Sequence, residues 1–365
     1  MSLTLVILLE SLNNRFMSFK KLISWSKKEF AYLPWRQERT LYRTLVSEIM
    51  LQQTTVATVQ KHFDRFINRF PDLEDLARAT EQELLVAWKG LGYYRRARNL
   101  KKIAEHILTN HRGDFPKNEV ELRLIPGIGP YTAGAIMGIG MNERALAVDA
   151  NLERVLSRLY GIKLEKGLKL QKKIAQLFLD KKILNEEKYS YRDMNEALMD
   201  LGRVYCQARK VSCELCPLSE TCVAFSERKP FKYPLQNEQK SKIEEDHTLC
   251  LLRLIIIKKD KLLTYKKNED EWLSGQYEVP TLLIKSTDPK IKQYVQLKSE
   301  ITWSELKMFK TGITKYKIEN YVSVMDFNQF KKIGFPRPVE WRDFTREGAN
   351  LSTATIKALR ICSVD

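Results

Sequence analysis

The stretch Leu124–Asp149, LIPGIGPYTAGAIMGIGMNERALAVD, constrains what this chain can fold into more than any other. Asn118 followed by Glu121 has the spacing of a capping box, which predicts a short helix running to Ile125. Pro126-Gly127-Ile128-Gly129-Pro130 then breaks that helix twice, and the small residues that follow predict a second helix from about Thr132 to Gly140. A hairpin of this kind points backbone N–H groups outward at the start of the second helix. Gly127 and Gly129 place no side chain in the way, so an anion such as a nucleic-acid phosphate can approach. The same pattern also suits an ordinary helix–turn–helix corner with glycines for close packing, and the hairpin alone does not choose between the two.

With 365 residues, two domains are the natural expectation. Lys and Arg outnumber Asp and Glu by 62 to 45, giving +17 and a pI near 9.4, which favours a polyanionic partner. No run approaches the ~18 apolar residues of a membrane span, so no membrane partner is expected. Residues 1–18 read as an N-terminal extension: LTLVILLESLNN lacks a basic flank and a small-residue cleavage site, and Met17 serves equally well as a start. From Phe19 onward the apolar residues recur at helical spacing, through Leu41, Leu45 and Ile49, then Val56, Val59, Phe63 and Phe66. Thr80 with Glu83 forms another capping box, and Asp149 is placed to cap a helix over Leu152–Tyr160. Strand-like alternation begins only near residue 248. Residues 19–225 are therefore expected to form an all-α domain, residues 226–247 a charged, proline-containing linker, and residues 248–365 an α+β domain. In the last, LCLLRLIIIKKDKLLTYKK predicts a β-hairpin, with further strands in YEVPTLLI and IENYVSVM.

Four of the six cysteines, Cys206, Cys213, Cys216 and Cys222, fall in one loop with the spacing C-x6-C-x2-C-x5-C. This is a metal pattern of a reducing compartment rather than a disulfide framework. Four thiolates suit tetrahedral zinc or an iron–sulfur cluster, although zinc sites usually pair two short knuckles and only the central pair here is short. Glu48, in SEIMLQQTT, sits mid-helix beside Ile49 and Met50. A carboxyl partly withdrawn from water holds its proton to higher pH, which suits a general acid; a surface glutamate on an amphipathic helix is the plainer alternative. GLGYYRRARN sets Tyr93 and Tyr94 beside Arg95, Arg96 and Arg98, an aromatic wedge next to phosphate-binding cations, although a Tyr-Tyr pair is more often core.

The PGIG hairpin, the aspartate in AVDANLERVLSR about twenty residues later, and the cysteine spacing together resemble the helix-hairpin-helix DNA glycosylase superfamily, and within it the MutY family. The resemblance is strong over Phe19–Phe225 and weak beyond. It implies an all-α helix-hairpin-helix glycosylase domain with an iron–sulfur loop over 206–222, followed by an α+β Nudix-like domain. The implied activity is monofunctional hydrolysis of adenine from double-stranded DNA carrying A:8-oxoguanine or A:G mispairs, with a 4Fe-4S cluster held by the four cysteines. Glu48 matches the proton donor, where endonuclease III-like relatives carry an apolar residue, and Asp149 matches the carboxylate facing the sugar. The helix that Asp149 caps is expected to help keep it ionised. Tyr131 stands where bifunctional members have a Schiff-base lysine, and Asn151 and Glu196 match active-site positions. Gln52, Gln53, Gly92 and Tyr93 match residues that hold the opened base stack, and Gly127 and Gly129 those that grip the backbone.

In the second domain EWLSGQYEVP resembles the opening of a Nudix domain, but no glutamate-rich metal helix follows. Where MutY proteins read 8-oxoguanine with Phe-Ser-His, this chain has Ile313-Thr314-Lys315, so Thr314 is the one matched DNA-reading candidate. A monomer working at the nucleoid of a bacterial cytoplasm is expected. The rival readings are an endonuclease III-like enzyme for oxidised pyrimidines and a catalytically silent lesion-binding protein.

Overall fold

Helical spacing in the first part of the sequence becomes a succession of short helices in a computed structural model, which describes residues 19–181, 183–184, 189–235, 247–297, 306–344 and 349–362. The expected extension over 1–18 and residues 236–246 of the expected linker lie outside the described residues. The chain divides into two units, one of residues 1–78 with 99–241, the other of residues 79–98 with 242–365.

The first unit is helical. Helix α1 covers residues 19–30, α2 Pro34–Gln37, α3 Leu41–Leu51, α4 Val56–Arg69 and α5 Leu73–Arg78. Helix α6 (Glu81–Ala87) belongs to the other unit and begins with the capping box expected of Thr80 and Glu83. The boundary between units then falls within α7 (Arg95–His111). Next come α8 (Glu119–Leu124) and α9 (Pro130–Ala135), the two arms of the hairpin. Asn118 caps α8 by accepting the Glu121 N–H. The second arm starts two residues earlier than expected, because Pro130 occupies the first helical position, where its fixed φ suits a helix and its missing N–H costs nothing. Between the arms Gly127 has φ +100°, a backbone conformation that residues with a Cβ rarely adopt, so the turn needs glycine.

After α9 the chain widens into a π-helical turn, Ile136–Met141, and runs on without regular structure to Asp149. Asp149 caps α10 (Ala150–Tyr160), which Gly161 ends in the left-handed conformation. Helices α11 (Leu168–Leu179) and α12 (Tyr191–Val204) pack with α1 and α10 around Phe19, Leu22, Leu152, Leu156, Ile174 and Leu198. Among the described residues no helix is long and apolar enough to cross a membrane. After α13 (Val223–Ser226), Tyr233 is buried and accepts from Arg158 Nε at 3.1 Å through its carbonyl, so residues just past 225 are held to this unit.

The second unit carries two sheets. Strand β1 (His247–Ile255) lies centrally in a five-stranded sheet of order β6-β5-β1-β8-β7. The others are β5 (Thr281–Ser286), β6 (Val295–Gln296), β7 (Lys307–Ile313) and β8 (Tyr316–Val324). A second sheet joins β2 (Ile257–Lys258), β3 (Lys261–Lys266), β4 (Tyr277–Glu278) and β9 (Glu340–Asp343). The expected hairpin forms but is short. Its charged turn closes only β2 on β3, while β1 pairs antiparallel with β5 and parallel with β8. β1 is buried on both faces over Leu251–Ile255 and is paired along both edges. Helices α14 (Phe327–Ile333) and α15 (Thr353–Ile361) complete the α+β unit. Neither carries a carboxylate, so neither is an acidic metal-binding helix.

Candidate active site

Helix α3 is buried along Tyr42–Met50 except at Arg43, so its carboxyl residue goes in with the rest: Glu48 is 5% exposed. It opens onto a cavity of about 320 Å³, within the ~300–1,000 Å³ range of small-ligand pockets. Tyr131, Asp149, Asn151 and Glu196 line the same cavity, so all five residues expected to be catalytic converge. Burial pushes Glu48 up to about 7. The Tyr131 hydroxyl, which donates to Glu48 Oε2, pulls it down; the nearby Asp149 and Glu196 add to the rise; Arg36 opposes them. The Tyr131 hydroxyl, also buried, is pushed well above the usual tyrosine range.

Asp149 approaches from the far wall. Its Oδ1 accepts the N–H groups of Asn151 and Leu152, each at 2.8 Å, and its Oδ2 accepts Asn151 Nδ2 at 2.7 Å. These donors and Arg154 favour its charged form, as expected of a helix cap, but burial outweighs them and the carboxyl sits above its ordinary value. Arg154 in turn donates to Asn151 Oδ1 at 2.8 Å, to the Gly202 carbonyl at 2.9 Å and to the Cys206 carbonyl at 2.7 Å.

A third wall is an ion-pair network that the sequence reading missed. Glu196 accepts from Arg39 through both oxygens, at 2.6 and 3.1 Å, and its Oε2 lies 3.4 Å from Arg36 Nε. Asp200 accepts from Ser26 Oγ at 2.6 Å, Arg36 Nη1 at 2.9 Å and Arg203 Nη2 at 3.0 Å. Arg203 also lines the cavity and stacks 4.3 Å from the Phe30 ring centre. One signal for Asp200 was available: it lies four residues after Glu196 on one helix, so the two share a face.

The remaining candidates are not among the residues that line this cavity. Gln52 ends α3, its amide 3.5 Å from Thr132 Oγ1, and Gln53 follows exposed with φ +56°. Gly127 and Gly129 are exposed in the hairpin. Gly92 and Tyr93 belong to the other unit, with φ of +69° and +45°. Tyr93 is 51% exposed, while Arg96 donates to the Gly92 carbonyl at 3.2 Å and lies over the Tyr93 ring. Thr314 is exposed at the turn between β7 and β8, where its hydroxyl donates to the Ile313 carbonyl at 2.8 Å.

The cysteine loop follows α12. Burial and then the other cysteines push the thiols of Cys213, Cys216 and Cys222 upward, that of Cys216 to about 12. Arg158 lies against two of the four: its Nη1 is 3.3 Å from Cys206 Sγ, and its carbonyl accepts from Cys222 Sγ at 3.5 Å. Among the described residues no three His, Cys, Asp or Glu side chains converge as ligands of a single metal ion. A four-iron cluster takes each thiolate on a different iron and needs no such convergence. The donor set, four grouped thiols beside an arginine that offsets negative charge, fits such a group.

Residues 46–180 match the family described as HhH-GPD superfamily base excision DNA repair protein. A solved thermostable thymine-DNA glycosylase superposes with a TM-score of 0.51 at 28% identity, covering 60% of this chain and 99% of its own. The class is thereby a helix-hairpin-helix DNA glycosylase. An adenine DNA glycosylase of Buchnera aphidicola from Schizaphis graminum is 32% identical over 300 residues, 82% of this chain and 76% of the relative. That from Acyrthosiphon pisum is 38% identical over 241 residues, 66% of each. The chain belongs to the MutY-type adenine DNA glycosylase family, whose members are hydrolases of N-glycosyl bonds.

Proposed function

We propose that the chain excises adenine mispaired with 8-oxoguanine or guanine in double-stranded DNA, as a monomer in bacterial cytoplasm at the nucleoid, the first step of a base-excision repair. The observation that carries this reading is a buried glutamic acid held near 7, facing an aspartate across one cavity. A base inside a duplex must leave the stack to be acted on. The hairpin at Gly127 and Gly129 grips phosphate, and Gln52, Gln53, Gly92 and Tyr93 occupy the gap. In the cavity Glu48 donates its proton to the adenine ring as the C–N bond breaks and its electron pair leaves with the base. Asp149 stabilises the positive charge left on the sugar. Water then adds to the sugar carbon and its proton returns to Glu48. Tyr131 offers no amine, so no Schiff base forms and the strand stays intact. Asn151 and Glu196 orient Asp149 and Arg39.

Cys206, Cys213, Cys216 and Cys222 would hold a 4Fe-4S cluster, which would supply a rigid tie for their loop. The second unit, read as a Nudix-like domain without hydrolytic activity, checks the opposite base, with Thr314 as its candidate contact. The test is single-turnover incubation with end-labelled A:8-oxoguanine, A:G and A:T duplexes, with and without alkali, beside iron and zinc analysis. Alkali-dependent cleavage of the two mispairs with about four irons per chain is expected. Excision of an oxidised pyrimidine instead, binding without base release, or stoichiometric zinc would overturn the corresponding part.

A further inference from the structure

We propose that Asn195 is the positioning residue that sets Asp149 at its place in the cavity; the inference rests on the reading of Asp149 as the carboxylate facing the sugar. Asn195 lies in α12 next to Glu196 and is fully buried. Its amide is used at both ends. Oδ1 accepts the Ala147 N–H at 2.9 Å, while Nδ2 donates to the Ala145 carbonyl at 2.9 Å and the Tyr191 carbonyl at 2.8 Å. Residues 145–149 have no regular secondary structure, so their buried backbone groups must find partners elsewhere, and Asn195 supplies both a donor and an acceptor.

What this clamp holds matters to the site. Ala147 packs with Ala135 and Ile139 against Tyr131 and Met199, and Asp149 follows two residues later. The fixed point is thus tied to Tyr131 on one side and precedes the sugar-facing carboxylate on the other. The clamp also leaves no slack. A Cβ at Gly138 would lie 2.7 Å from Asn195 Nδ2 and 2.5 Å from the Ala145 carbonyl oxygen, so the π-helical turn closes on the amide only as glycine. Glutamine, one methylene longer, has no room here. Aspartate has the right length but would set a carboxylate oxygen against the two carbonyls that Nδ2 now serves.

The experiment uses full-length wild type, Asn195→Asp, Asn195→Ser, Asp149→Asn and the Asn195→Ser/Asp149→Asn double variant. It measures single-turnover base release from an A:8-oxoguanine duplex, and affinity for duplexes carrying either a cationic pyrrolidine sugar mimic or a neutral tetrahydrofuran. Both Asn195 variants should release adenine ~10²-fold more slowly, as expected for a misplacement near 1 Å. They should lose affinity for the cationic duplex while binding of the neutral one stays within about twofold, and the double variant should be no slower than Asp149→Asn alone. Wild-type rates in the Asn195 variants beside an inactive Asp149→Asn would overturn the proposal, as would additive losses, equal weakening of both duplexes, or loss of the fold in both variants. Wild-type activity of Asp149→Asn would instead remove the role of Asp149 itself, and the proposal with it.

Discussion

Glu48 in the first unit and Glu278 in the second are both buried glutamates, and each accepts a hydrogen bond from a tyrosine hydroxyl, Tyr131 and Tyr265 respectively. Yet Glu48 is raised to about 7 and Glu278 is lowered to about 2. Burial pushes both upward. At Glu278 the ammonium of Lys267, 3.2 Å away, and the guanidinium of Arg253, 2.6 Å away, overcome it. At Glu48 the cations of the same cavity are committed elsewhere: Arg36 to Asp200 and Glu196, and Arg203 to Asp200. The neighbouring carboxylates then reinforce the burial. Burial alone makes neither an acid catalyst nor a structural anchor; the placement of cations decides which.

The sharpest way to break this contrast is to neutralise each acid in turn. Glu48→Gln should slow single-turnover base release by ~10²–10⁴-fold while DNA binding is kept, because an amide cannot protonate the leaving base. Glu278→Gln should leave Arg253 and Lys267 buried without a counter-charge and cost ~3–5 kcal/mol of stability in chemical denaturation. Base release by its folded fraction should stay near wild type. Slow chemistry in the second variant with unchanged stability would mean that the two roles are assigned the wrong way round.

Titration separates the two with opposite signs. A group whose folded value lies above its unfolded one binds more protons when folded. Glu48 therefore costs stability as pH rises from 4.5 through about 7, by roughly 3 kcal/mol once ionised. Glu278, depressed, contributes stability that is complete above 4.5 and is lost as pH falls toward 2, by a similar amount. Wild-type base release should fall by about tenfold per pH unit above neutrality. Glu48→Gln should be more stable than wild type at pH 8 and equal to it near pH 4, as read from denaturant midpoints. Equal stability at both would show that Glu48 is not held protonated by the fold.

Much of this was legible because it is local. Asp149 followed by Asn151 and Leu152 reads as a helix cap, and the cap is there; Thr80 with Glu83 reads as a capping box, and both halves form. Glu48 was legible through the family resemblance, since its apolar neighbours alone suit a surface glutamate on an amphipathic helix as well. What stayed hidden depends on partners brought in from far along the chain. Arg36 reaches Asp200 across 164 positions, and no periodicity announces it. Glu278 lies within EWLSGQYEVP, but no local pattern ties it to Arg253 or to Lys267. The partners of β1, β5 and β8, were hidden for the same reason: alternation marks a strand but does not name the strand beside it. Asp149 shows the limit from another side, since its cap was visible and the burial that outweighs the cap was not.

The tyrosines give the smallest and most discriminating test. Both donate to a glutamate, so removing either hydroxyl deletes a similar bond, worth ~0.5–1.5 kcal/mol. In the first unit that bond favours the ionised carboxylate, against burial. Tyr131→Phe should therefore shift the midpoint of the base-release pH profile upward, by up to about one unit, and change the rate at pH 6 only a few-fold. In the second unit the carboxylate is already held ionised by Arg253 and Lys267, so Tyr265→Phe should lower stability by ~1 kcal/mol and leave the pH profile where it is. The profiles of both variants, with their denaturation midpoints, decide the matter. A downward shift in Tyr131→Phe would mean that the hydroxyl stabilises the protonated acid, and a shift in Tyr265→Phe would mean that the two carboxylates are not independent.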